Sequence, residues 1–201
     1  LSATDLIGQI EVKFKSINAA RGSFPELSDF LTQMFEPMWR EVKVLSYSLW
    51  PKGTRKQDLP SERQTLSPSD FGFHNAIQAT NGKITFIDFD YFGWDDPVKL
   101  TSDFVWHPAM QLEAGISAAW ETAMRQLFTN DADFDKRFSA AMPLYGMRWA
   151  MILLNEFLPG YSERRRNAGL MGSYDEEHVR RTQLVKARHC LTRVERMHPR
   201  A

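Results

Sequence analysis

The chain has 201 residues, 43% of them hydrophobic, with six Trp and a formal net charge of zero. That length and apolar content suffice for a sizeable core and exclude a disordered chain, while the charge balance gives no bulk attraction to nucleic acid or an anionic membrane. A single cysteine, Cys190, allows no intrachain disulfide and no thiolate cluster for zinc, which predicts a reducing, cytoplasmic setting. The longest uninterrupted apolar run, Trp149 to Leu154, falls far short of the roughly 20 residues that span a membrane. No leader pattern stands at Leu1, and a start at Leu rather than Met reads as a fragment or a processed product.

Leu6, Ile10, Phe14 and Ile17 recur at helical spacing behind a capping pair, Ser2 and Asp5. They predict a helix over 2–20, ended by Arg21-Gly22-Ser23. A second helix starts near Pro25 and runs through Leu27, Phe30, Leu31, Met34 and Phe35. Pro37 should break or kink it, with a third segment continuing to about Leu49. Residues 51–65 form a polar loop, whose Lys52, Arg55 and Lys56 read as solvated charge, with a phosphate contact as the alternative.

Beyond residue 97 the chain again reads as helical. Asp96-Pro97 supplies a cap and a first-turn proline for a helix to about Trp106, stopped by His107-Pro108. An amphipathic helix follows over 110–128, then a long stretch over 133–158 that Pro143 should bend. Its segment YGMRWAMILLNEFLP is nearly all apolar and should be buried on most sides. A last helix starts from an N-cap at Ser173 or Asp175 and runs to about Met197. This tail is locally basic but lacks the interleaved aromatics of a single-strand nucleic-acid binder, so it reads as a solvated face.

The informative stretch is 66–97, LSPSDFGFHNAIQATNGKITFIDFDYFGWDDP. HNAIQA and KITFIDF are β-rich, and Asn81-Gly82 between them suits a turn with positive φ at both central residues. Folding that hairpin carries Asp88 back beside the loop holding Asp70 and Asn75. Two carboxylates and an amide at one end of a hairpin are hard oxygen ligands plus a base, a set that suits Mg²⁺ and a phosphoryl group. A carboxylate at Asp70 accepts a hydroxyl proton, Asn75 offers a neutral carbonyl oxygen, and Asp88 supplies negative charge for the ion. His74, placed on a strand beside Asn75, should point the other way and be packed or hydrogen-bonded. Asp90, two residues after Asp88 on a strand, should share its side and serve as a second metal ligand or an acid near substrate.

An Asp, an Asn five residues on, a hairpin ending in a hydrophobic-Asp segment and a downstream Asp-Pro resemble the aminoglycoside phosphotransferase and choline kinase family, small-molecule relatives of the protein kinases. The resemblance covers about a sixth of the chain and departs at Pro68, where the family usually has His. It implies a mostly α-helical C-terminal lobe of a protein-kinase-like α+β fold, a single unit over 1–201 carrying a small β-hairpin. It further implies transfer of the γ-phosphoryl of ATP or GTP to a hydroxyl of a small molecule, with Asp70 catalytic and Asn75 and Asp88 holding Mg²⁺. Asp103 resembles the family's downstream Asp that steadies the catalytic loop. Arg148, Asn155 and Glu156, polar residues in the apolar helix, are the candidates for an acceptor pocket.

No glycine-rich phosphate loop and no apolar-Ala-apolar-Lys strand is present in this sequence. The family carries both in an N-terminal lobe. The chain therefore reads as a lobe without that partner, expected to turn over slowly or not at all alone. The Asp88-Phe89-Asp90 triplet also fits the metal motif of a nucleotide-sugar glycosyltransferase, which leaves Asp70 and Asn75 without a role. A degenerate kinase-like module that binds a metabolite or protein is the non-enzymatic alternative. Acids and aromatics occur together, so the acceptor class is not chosen.

Overall fold

The computed structural model describes residues 2–110, 112–161 and 176–197. The fold is mostly helical, with two short antiparallel strand pairs. It divides into two units: one holds Leu45–Tyr145 with the start of the chain through Asp5, the other Leu6–Val44 with the chain from Gly146 on.

The second unit is all helical among its described residues. Helix α1 (Ala3–Ala20) opens as the Ser2–Asp5 pair predicts. The Asp5 N–H donates to Ser2 Oγ, and Asp5 accepts from the Ser2 N–H, both at 3.2 Å. The Ser2 hydroxyl also donates to Asp5 Oδ2 at 2.6 Å, and that bond foremost, with the one from the Ser2 N–H, holds the Asp5 carboxyl below its ordinary range. Leu6, Ile10 and Ile17 then bury one stripe of the helix. Helix α2 (Pro25–Phe30) continues through a π-helical turn, Leu31–Phe35, into α3 (Glu36–Leu49). The disturbance expected at Pro37 therefore falls in the turn before it. Proline has no N–H to donate backwards and its ring crowds the preceding turn, so the widened turn accommodates it.

Helix α6 (Phe134–Leu153), which follows α4 (Pro97–Trp106) and α5 (Ala114–Leu127) and enters this unit at Gly146, carries on through Pro143 and ends in a 3₁₀ turn, Leu154–Phe157. Its later part buries Met147, Ala150 and Met151, and the 3₁₀ turn buries Leu154. Helix α7 (Glu176–Met197) buries Leu184, Ala187, Leu191 and Val194; the N-cap expected at Ser173 or Asp175 lies outside the described residues. Cys190, also buried there, has its thiol pushed up to about 11 by burial, against a smaller opposing pull from Arg193. Phe14 stacks on Phe35 with ring centres 5.0 Å apart, and Phe24 meets Phe157 edge-on at 5.1 Å. Among the described residues no helix is long and apolar enough to cross a membrane.

In the first unit the polar loop ends in β1 (Thr65–Ser67), which pairs with β4 (Gly93–Asp95) in the register Thr65↔Asp95. This pair closes the neck of the 66–97 segment. Inside it, β2 (Ala76–Gln78) and β3 (Ile84–Phe86) form the expected hairpin, Ala76 opposite Phe86. The turn differs from expectation. Gly82 N–H donates to Ala79 O and Ala79 N–H to Lys83 O, while Gly82 alone among the loop residues has positive φ. That is a three-residue loop ending in a left-handed glycine, and Asn81 instead bonds through its side chain to the Lys83 N–H.

Helix α4 (Pro97–Trp106) starts as predicted, with Asp96 Oδ1 accepting from Val98 N–H at 2.8 Å. Helix α5 (Ala114–Leu127) lays Trp120 against Phe104, ring centres 4.3 Å apart. Phe71 joins these two rings to Phe86 of the hairpin, 4.7 Å away. The residue after Asp70 thus pins the hairpin to α4 and α5. The other hairpin face, with Ile77 and Ile87, is exposed.

Candidate functional site

Asp70 sits in a tight turn built from its neighbours. Its N–H donates to Pro68 O at 2.8 Å across Ser69, whose φ is 62°, a conformation costly for a residue with a Cβ. Ser67 Oγ supports the turn by accepting from the Ser69 N–H at 3.1 Å. Among the described residues the only other non-glycine with positive φ is Asp88, at 63°. Two strained positions, one next to Asp70 and one at Asp88, mark the segment singled out in the sequence, since strain persists where the surroundings over-determine it.

Asn75 ties these parts together. Its Nδ2 donates to the Asp70 carbonyl oxygen at 2.9 Å, and its own carbonyl accepts from the Ile87 N–H at 2.9 Å. The backbone next to Asp88 is therefore bonded to Asn75, and the Asn75 side chain is bonded to the turn carrying Asp70. Because the amide nitrogen is committed, Oδ1 is the group left to face a cation. Asp88 is exposed and makes no hydrogen bond or ion pair with the other described residues.

Asp90 does not share a strand with Asp88. Residues 87–89 have left β3 and Asp90 and Tyr91 form a turn, so alternation along a strand does not place the two carboxylates on one side. Asp103, buried on α4, holds Lys99 at 3.3 Å, while Asp95 holds the same ammonium at 2.8 Å. Burial pulls the Lys99 pKa down, but Asp103 and Asp95 together outweigh it and leave the pKa raised. Lys52 and Lys56 are exposed, in keeping with a solvated loop, and Arg55 lies over the Tyr47 ring at 4.4 Å.

Arg148, Asn155 and Glu156 belong to the second unit. Arg148 and Asn155 are half-buried, with Asn155 Oδ1 lacking a hydrogen-bond partner. Glu156 is buried beside a cleft of about 410 Å³ that Phe24, Phe157 and Arg180 also line.

Two histidines complete the surroundings of Asp70. His74 lies in a 3₁₀ turn, Phe73–Asn75, rather than on a strand, and its Nε2 is 2.9 Å from Asp70 Oδ1. The expectation of a hydrogen-bonded His74 holds, although its ring faces the catalytic candidate. His107, at the C-terminal end of α4, stacks on His74 with ring centres 3.9 Å apart and planes within 1°. Its Nε2 lies 3.3 Å from the same Asp70 oxygen. Burial pushes His107 down to about 4, with His74 adding to the shift and Asp70 opposing it, so the ring is neutral near pH 7. No local sequence signal announced His107, which sits 37 residues after Asp70.

Asp70, His74 and His107 place their ligand atoms within 4.8 Å of one another, a spacing compatible with a metal. The ring geometry disfavours one. Each Nε2 lone pair lies in its own ring plane, and the stacked planes are parallel, so a single ion cannot lie on both. Oxygen donors without partners among the described residues, Asn75 Oδ1 and the Asp88 carboxylate, suit a hard ion such as Mg²⁺ better. Comparison with protein-family models finds no matching family, and neither curated proteins nor solved structures give a match.

Proposed function

We propose that this chain is the helical lobe of a phosphotransferase that moves the γ-phosphoryl of ATP or GTP to a hydroxyl of a small molecule. The observation that carries the reading is the double tie of Asn75, by side chain to the Asp70 turn and by backbone to the residue before Asp88. Those two bonds tie the Asp70 turn and the backbone beside Asp88 to one residue, which supports a shared site for the base and two oxygen donors that phosphoryl transfer needs.

In this mechanism Asp70 receives the hydrogen bond of the acceptor hydroxyl on the carboxylate oxygen that His74 does not occupy. It takes the proton as the new O–P bond forms and the bond to the leaving diphosphate breaks. Asn75 and Asp88 are the residues that would hold Mg²⁺, which when bound would offset charge on the phosphate oxygens. The Phe71, Phe86, Phe104 and Trp120 cluster keeps the turn and the hairpin from moving apart.

The test is a screen of the protein for ADP or GDP release from ATP or GTP against alcohols, sugars and aminoglycosides. Acceptor-dependent release that falls about 10²–10⁴-fold in Asp70→Asn supports the reading. Release that Asp70→Asn leaves intact, or no acceptor-dependent release at all, contradicts it and favours a binding module.

A further inference from the structure

We propose that His107 and His74 act as a two-ring prop that fixes the direction of the Asp70 carboxylate, making the C-terminal end of α4 a positioning element of the site. The proposal rests on the phosphotransfer reading only for its effect on rate; its geometric part stands without it.

The proton positions follow from the partners. Ala109 N–H donates to His107 Nδ1 at 3.3 Å, so that nitrogen keeps its lone pair and the ring proton sits on Nε2. The His107 backbone N–H donates to Asp103 O at 2.9 Å, which anchors the residue to the last turn of α4. In His74 the nitrogen beside the carboxylate, Nε2, carries the proton, and Nδ1 is buried without a hydrogen-bond partner. A ring held by one hydrogen bond still turns about it. What fixes the His74 plane is the parallel face of His107, with Gly72 packed close to the Nδ1 end of the ring. A Cβ at Gly72 would stand 2.7 Å from His74 Nδ1 and overlap Met110 Sδ. Met110 is itself tied in, accepting from Phe73 N–H at 3.0 Å and donating its own N–H to His107 O at 3.0 Å.

The chain of support therefore runs from α4 to His107, from His107 by stacking to His74, and from His74 by hydrogen bond to Asp70 Oδ1. It leaves the other carboxylate oxygen for a ligand. A side chain that is 43% exposed would otherwise sample several rotamers. Holding a reacting group within a fraction of an ångström is worth up to about 10²-fold in rate.

The deciding experiment uses long-range ¹H–¹⁵N spectra of the 201-residue chain with three variants. In the wild type at pH 7 both rings should show the Nε2–H tautomer, with the His74 Nε2 proton protected from exchange. His107→Ala should abolish that protection. His107→Phe, which keeps a flat ring and removes both nitrogens, should retain it. In the turnover assay His107→Ala should lower kcat about 10–100-fold with KM unchanged for both substrates, and His107→Phe should restore it to within about threefold. Protection of His74 that survives His107→Ala, or a His107 proton on Nδ1, overturns the prop. So does loss of protection in His107→Phe while its circular dichroism and melting stay native. Asp70→Asn separates the two readings: normal turnover in that variant removes the catalytic role of Asp70, whereas the spectra judge the prop independently.

Discussion

Asn75 Nδ2 donates to the carbonyl oxygen of Asp70, five residues back along the chain, at 2.9 Å. The bond needs an amide at that position. Replacing Asn75 by Asp removes the donor and sets a carboxylate against a carbonyl oxygen, while Asn75→Ala only removes the donor. Asn75→Asp should therefore destabilise the chain more than Asn75→Ala, the latter costing about 1 kcal/mol. Urea unfolding of the two variants checks the order.

Arg137 is the buried hub of the first unit. Its Nε and Nη2 reach both oxygens of Asp96 at 3.1 and 3.2 Å, and Nη2 reaches Asp131 at 2.7 Å. Arg63 also contacts Asp131. Asp96 caps α4, so the pair fixes where that helix begins. Arg137→Met keeps much of the volume and leaves two buried carboxylates without their shared cation, at a cost of about 3–5 kcal/mol. Thermal unfolding measures it, and an unchanged Tm would contradict this account.

The depressed His107 pKa gives a pH signature. The unfolded imidazole takes a proton near 6.5, the folded one only near 4, so between those values the unfolded chain binds more protons. The contribution of His107 to stability is fully present above pH 6.5 and is lost progressively as pH falls toward 4. Unfolding free energy measured from pH 4 to 8 should drop less steeply below 6.5 in His107→Phe than in the wild type. Parallel curves would place the proton uptake on other groups.

Asp88 occupies the left-handed region at φ 63°, where glycine is at ease. Asp88→Gly should match or exceed the wild type in stability, and Asp88→Ala should fall about 1 kcal/mol below Asp88→Gly. Denaturation midpoints decide this. A stable Asp88→Gly that binds no divalent ion would show that the carboxylate is kept there for its ligand.

Much of this arrangement is legible in the sequence, and the parts that are not share a cause. The Asn81-Gly82 pair and the alternating residues around it located the hairpin, because turn chemistry and strand alternation are local. Asp96-Pro97 located the start of α4 for the same reason. The β1–β4 pair escaped notice because three-residue strands carry no periodicity. Strand alternation does not reach His74 or Asp90, neither of which lies on a strand, so it orients neither side chain. His107 beside Asp70, and Arg137 beside Asp96, are tertiary contacts between residues 37 and 41 positions apart, and neither partner's local sequence encodes them. The spacing of Asp70, Asn75 and Asp88 pointed to a shared site; the Asn75 bonds give a skeleton that joins the Asp70 turn to Ile87, the residue before Asp88.

Whether that skeleton holds one divalent ion is best read with Mn²⁺ as a paramagnetic probe of the 201-residue chain. The account predicts that the Asn75 side-chain amide and the Asp88 backbone amide broaden together at the same Mn²⁺ concentration, and that Asp88→Asn removes both effects. Broadening of one without the other, or centred instead on the Asp131 and Asp133 carboxylates, would contradict it.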